Sequence, residues 1–112
     1  MKILILNGSP HLDGPTSDMI VFASPIYYFT LSAQLQAVIH RTYSIDVPKN
    51  VKKVALIMSS GSKFVYGAAI TEYFQSIVEY WGVENAGIFT ANGRQNKSVK
   101  KRKELYRFGK SL

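Results

Sequence analysis

The sequence predicts an α/β domain: a mostly parallel sheet of about four strands with helices on its faces. Three observations predict it. Short apolar runs alternate along the chain with segments of helical periodicity, the pattern of strands joined by crossover helices. The apolar runs end in polar turns carrying Gly, Ser, Asn or Pro. Repeats, low-complexity stretches and linkers are absent, so the 112 residues read as one domain, 1–112.

The elements follow in order. Lys2–Leu6 reads as a buried strand that runs into Asn7-Gly8-Ser9-Pro10. A second apolar run, Met19–Ala23, leads into a polar and aromatic loop from Ser24 to Ser32, with Pro25 as a rigid turn. Only Gly8 to Asp18 separates these strands, too little chain for a helix. From Ala33 to Tyr43 the apolar positions Leu35, Val38 and Ile39 are spaced for a helix with one face on a sheet. Pro48 and Asn50 mark a turn, and Val51–Met58 is a third strand, ending at Ser59-Ser60-Gly61-Ser62. Ile70, Tyr73, Phe74, Ile77, Val78 and Trp81 form an unbroken i, i+3, i+4, i+7, i+8, i+11 stripe. Gly82 stands where a left-handed helix cap belongs. Asn85–Thr90 is a weaker strand, Ala91-Asn92-Gly93 a turn, and Asn96 or Ser98 can cap a last helix.

Composition narrows the function classes. The absence of cysteine excludes disulfides, thiol nucleophiles and cysteine-ligated clusters. With two histidines and no clustered carboxylates, no metal site is expected; His40 reads as a helix-surface residue, Glu72 and Glu79 as solvated charges on one helix face. No run reaches the roughly 18 apolar residues of a membrane span, and the opening residues are too short for a signal peptide. A cytoplasmic protein without a membrane partner is the expectation. Eight basic residues against one acid, Glu104, between Arg94 and Lys110 account for the whole net charge of +7. That segment is either a solvated helix face or a field that attracts polyanions; no nucleic-acid motif accompanies it, so a nucleic-acid partner is not expected.

In a parallel sheet, ligands sit where the loops after the strands converge. The first loop offers hydroxyls and backbone amides (Gly8, Ser9, Gly14, Thr16, Ser17) suited to a terminal monophosphate, although an ordinary β-turn looks the same. It is neither a Walker loop nor a Gly-x-Gly-x-x-Gly turn. In the second, Pro25, Tyr27, Tyr28 and Phe29 put three rings at a strand end. A flat heteroaromatic ligand can stack there; alternatively, two rings belong to the core and one packs on a neighbouring subunit. The third, with Ser60 and Gly61, lets a ring approach the backbone.

Taken together, MKILILNGSPHLDGPTS, IVFASPIYYFTLSAQLQAVIHR, VALIMSSGS with YGAAI, and VENAGIFTANGRQN resemble the flavodoxin-like NAD(P)H-dependent FMN reductase and quinone reductase family. The resemblance implies a reduced flavodoxin-like three-layer sandwich. It implies FMN and NAD(P)H as cofactors, with hydride passing from nicotinamide to flavin and on to a quinone, flavin or similar small-molecule acceptor. Ser9, His11, Thr16 and Ser17 would hold the FMN phosphate. Pro25, Ile26, Tyr27, Tyr28 and Phe29 would lie along the flavin ring, with Ser60 and Gly61 on its other side. No side chain is assigned as a catalytic acid or base, and a homodimer is implied.

The chain departs from the family pattern at His11, at Pro15, and above all after Ser17. There the first crossover helix, an edge strand and the second helix, on the order of 40 residues, have no counterpart before Asp18. Two other readings therefore stand beside the enzyme: a truncated relative that no longer binds FMN, and a small binding module that uses its basic C-terminal helix.

Overall fold

The computed structural model describes residues 3–6, 18–41 and 50–112. Strand β1 spans Ile3–Leu6, β2 Met19–Tyr27, β3 Thr30–Leu31, β4 Lys53–Ser60 and β5 Glu84–Asn92. The sheet order is β1-β2-β4-β5, every neighbour parallel, with β3 paired antiparallel to the end of β2. Helix α1 covers Ala33–Arg41, and α2 covers Gly67–Tyr73 and continues through a π-helical segment, Phe74–Glu79. A 3₁₀ turn, Gly93–Lys97, precedes α3, Val99–Ser111.

Alternation along the strands sorts side chains to the two faces. Ile20 and Phe22 of β2, Val54, Leu56 and Met58 of β4, and Ile88 of β5 join Leu35, Val38 and Ile39 of α1 and Ala69, Tyr73 and Ile77 of the α2 segment in one core. The intervening positions, Met19, Val21, Ala55, Ile57 and Ala86, meet Phe108 and Leu112 on the other face. That division follows from the strand order. The crossovers through α1 and α2 step the same way along the sheet, and right-handed crossovers then leave both helices on one face. α3 lies on the opposite face, completing three layers.

The apolar stripe predicted from Ile70 to Trp81 is the buried face of this element. Tyr73 and Ile77 are fully buried, with Ile70, Phe74, Val78 and Trp81 packed around them. The π segment widens the backbone without moving the stripe off the core. Gly82, at φ +66°, closes the element: its N–H donates to Glu79 and that of Val83 donates to Val78. That pair of bonds is a Schellman cap, and Val78 and Val83 supply its hydrophobic contact. Ser98 caps α3 by accepting from the Lys101 N–H at 3.4 Å, resolving the choice between Asn96 and Ser98.

Sequence expectations are corrected at three strand ends: Ser59 and Ser60 belong to β4, Ala91 and Asn92 belong to β5 rather than to a turn, and the segment after Ala23 differs most. Ser24–Ser32 is not a loop. β2 continues through Ser24 and Pro25, still in register with Met58 and Ser59 of β4, and turns back into β3. Pro25 keeps its place opposite Ser59 three residues beyond Phe22, the last β2 residue paired with β1 among the described residues. The predicted helix end at Tyr43 and the turn at Pro48 fall outside the described residues.

Candidate functional site

The carboxyl end of the sheet holds a cleft of 440 Å³, lined by Pro25, Ile26, Tyr27, Ser59, Ser60, Gly61, Gly93 and Asn96. Strand order explains its shape. β4 lies between β2 and β5, and its end supplies the floor, Ser59 to Gly61. One wall is the last stretch of β2, and the other is the 3₁₀ turn after β5.

The β2 wall rises because a hairpin carries it past the sheet. Ile26 pairs with Leu31 and Tyr27 with Thr30, so Tyr28 and Phe29 form a two-residue turn. Both have positive φ, +50° and +69°, the signature of a type I′ turn, whose twist matches the flanking strands. Bulky side chains pay a steric cost there that Asn and Gly largely escape. The Thr30 hydroxyl donates to the Tyr27 carbonyl at 3.2 Å. Two buried serines anchor the return to the sheet. Ser24 Oγ accepts from the Ser32 N–H at 2.8 Å, and Ser32 Oγ accepts from the Leu35 N–H at 3.3 Å as the cap of α1. Gln36 Nε2 donates back to the Leu31 carbonyl at 3.0 Å.

The floor is tied to both neighbouring elements. Ser60 Oγ lies against the Ser62 carbonyl and 2.8 Å from the Tyr66 hydroxyl, which lies 3.3 Å from the Ala91 carbonyl. Two hydroxyl protons serve three contacts, so at any moment two of the three are hydrogen bonds, with Ser60 donating to Ser62 or Tyr66 and Tyr66 to Ser60 or Ala91. Asn96 Nδ2 donates to the carbonyls of Ser60 (3.3 Å) and Gly93 (3.0 Å), joining the 3₁₀ wall to the floor. Gly93 takes φ +56° to start that turn, and Gln95 Oε1 accepts from the Asn92 N–H at 3.2 Å.

Of the sequence-predicted residues, Pro25, Ile26, Tyr27, Ser60 and Gly61 converge on this cleft. Tyr28 and Phe29 do not line it. They stand at the hairpin tip, 95% and 58% exposed, beside Tyr27 at 64%. Ser9, His11, Thr16 and Ser17 lie outside the described residues. Gly93 and Asn96 were not anticipated as site residues. Their signal was available, since they follow a strand and fall under the same sheet-edge rule as the other loops.

Among the described residues the lining contains no carboxylate, histidine or lysine, so these side chains can shape and orient a ligand. The volume falls within the range of small-molecule sites, and the walls combine aromatic and aliphatic surface with a few amide and hydroxyl groups. A flat heteroaromatic ring fits that chemistry.

A family model described as "Flavodoxin-like fold" matches residues 15–109. The match leaves Met1–Gly14, with Ser9 and His11, outside it. Among solved structures, the Trp repressor binding protein from Bacillus subtilis superposes with a TM-score of 0.73 at 17% identity, covering 96% of each chain. No curated protein matches the sequence. The chain therefore belongs to the flavodoxin-like fold family.

Proposed function

We propose that this chain is an FMN-dependent NAD(P)H oxidoreductase that passes hydride from a nicotinamide to flavin and on to a quinone, flavin or similar acceptor. The observation that carries the reading is the cleft over the end of β4, with the Pro25–Tyr27 wall and the Ser60–Gly61 floor, whose described lining is aromatic, aliphatic and small polar side chains. Such a site suits a reaction whose chemistry resides in the cofactor. Flavin, when bound, supplies the hydride-accepting ring.

The chain's own residues bind and orient. Tyr27 and Ile26 offer one wall to the ring, and the small Ser60 and Gly61 let it approach the backbone. Asn96, with both amide bonds spent on Ser60 and Gly93, presents Oδ1 as an acceptor beside it. Ser9, His11, Thr16 and Ser17 are assigned to the phosphate. Tyr28 and Phe29, exposed at the tip, are assigned to the outer edge of the ring site, where a second copy in a homodimer would cover them.

The same reading takes residues 1–112 as a single domain in which the family's first crossover helix, edge strand and second helix are missing between Ser17 and Asp18. The parallel contact of β1 with β2 across residues 7–18 supports it, since a crossover that short leaves no room for those elements. The truncated-relative alternative draws on the same feature, because the lost helix would have faced the phosphate.

An FMN titration of the purified chain, read by flavin fluorescence and absorbance, separates the two. Saturable micromolar binding that weakens in Tyr27→Ala and Ser9→Ala supports the oxidoreductase, with NAD(P)H turnover as the next readout. A folded protein that leaves FMN fluorescence unchanged at high concentration overturns it.

A further inference from the structure

The charge on α3 is arranged, as well as abundant. Val99, Lys103, Tyr106 and Lys110 recur at i, i+4, i+7 and i+11 and share the face turned away from the sheet, whereas Phe108 and Leu112 pack inward. Arg102 and Arg107 flank the outer face, and all four cations on it are exposed. Two apolar side chains sit among them in the open, Val99 at 59% and Tyr106 at 66% exposure. Lys110 Nζ lies 5.3 Å from the centre of the Tyr106 ring. A shallow depression of 550 Å³ runs between Val99, Arg102, Lys103, Leu105 and Tyr106. The helix's one acid, Glu104, pairs with Lys101 at 3.6 Å, so among the described residues no carboxylate neutralises the outer cations.

We infer that this face of α3 docks on an anionic lipid bilayer. Four to eight Lys or Arg on an amphipathic helix suffice to hold a protein at such a surface. The apolar residues decide between polyanions. A nucleic-acid backbone would use the cations, but a single tyrosine with a valine is no base-stacking platform. At a membrane, tyrosine settles at headgroup depth and valine adds apolar contact, with the cations spread to either side. An interfacial helix needs no run of membrane-spanning length. Among the described residues no helix is long and apolar enough to cross a membrane, so the contact is peripheral. The inference is independent of flavin binding.

The test is co-sedimentation of the full chain with vesicles of phosphatidylcholine alone or with about a third phosphatidylserine. Duplex DNA is titrated in parallel, and circular dichroism verifies each variant's fold. The expected result at low salt is partition onto phosphatidylserine vesicles only, lost at high salt. Lys103→Gln/Lys110→Gln should weaken it about 25-fold, roughly fivefold per cation. Tyr106→Ala should weaken vesicle binding several-fold at unchanged charge. No partition at low salt by the folded protein, tighter binding to duplex than to vesicles, or an unaltered partition of Tyr106→Ala would each overturn the inference.

Discussion

Replacing Tyr28 by glycine should stabilise this protein, although it deletes a large aromatic ring. Tyr28 occupies φ +50° in the hairpin turn and is 95% exposed. The left-handed conformation costs an L-residue about 1–2 kcal/mol, a cost glycine does not bear. Glycine in turn loses about 0.5–1 kcal/mol more backbone entropy on folding. With almost no packing to forfeit, the net gain is about 0.5–1 kcal/mol, or about 2–4 °C in melting temperature for a domain of this size. Tyr28→Ala is the control, since it removes the ring but keeps the Cβ that causes the strain. It should melt within a degree or two of the parent.

Paired thermal and urea melts of the three proteins, with FMN affinity measured on each, separate backbone from ring. Equal stability of the glycine and alanine variants would refute the strain argument. Destabilisation of both would show that the exposed ring packs against something, a second copy being the first candidate, and would be visible as a concentration-dependent melting temperature. If both variants bind FMN less tightly while only glycine gains stability, the strained turn is retained for the ligand, the usual direction of a stability–activity trade.

Three further substitutions probe the scaffold. Gly82→Ala should cost about 1 kcal/mol in urea denaturation; no atom lies within 4 Å of the added Cβ, so the penalty is the φ of +66° alone. Tyr73→Phe should cost about 0.5–1.5 kcal/mol, since the buried hydroxyl donates to Asn85 Oδ1 at 2.9 Å and its removal leaves that oxygen only the Gly87 N–H. Burial raises the Glu72 carboxyl above its ordinary range, opposed by the charge of His40. Folding therefore favours its protonated form, and stability falls as pH rises from the ordinary carboxylate value through the raised one. Glu72→Gln should thus gain a few tenths of a kcal/mol at pH 7, and melts at pH 4 should show that gain gone.

The parts of the fold legible in the sequence are those where one signal acts alone. The stripe from Ile70 to Trp81 has one apolar face and one glycine at its end, and no competing pattern. The hairpin was hidden because its chemistry contradicts its geometry. A type I′ turn announces itself through Asn-Gly or Asp-Gly, and here the two positions hold Tyr and Phe. Pro25 added to the concealment, since proline reads as the end of a strand, yet the strand runs on through it in register with β4. Ser24 and Ser32 were ordinary polar residues until the fold buried them and joined them at 2.8 Å. Asn96 could be placed at a helix start from sequence, but its bond to Ser60 spans 36 positions and belongs to tertiary structure.

The strand order gives a reason for that hairpin. Open α/β sheets ordinarily bind ligands at a switch point, where crossovers to either side part and leave a crevice. In the order β1-β2-β4-β5 every crossover steps the same way, so these strands contain no such point. A cleft at the end of β4 must then be raised by its neighbours: β2 overruns into β3, and the chain after β5 folds into the Gly93–Lys97 turn. Of these walls, the β2 side rests on two residues in positive φ and two buried serines, whereas the β5 side is pinned to the floor by Asn96. Weakening the hairpin return with Ser24→Ala should therefore loosen the ligand site more than it lowers the stability of the sheet, because Ser32 N–H loses its acceptor while the β2–β4 ladder keeps its register through Pro25 and Ser59. Amide hydrogen exchange reads this directly: protection should fall at Ile26–Leu31 and hold at Val54–Met58. Uniform loss across both segments would mean that the hairpin and the sheet unfold as one unit, and that the wall is not a separable part of the site.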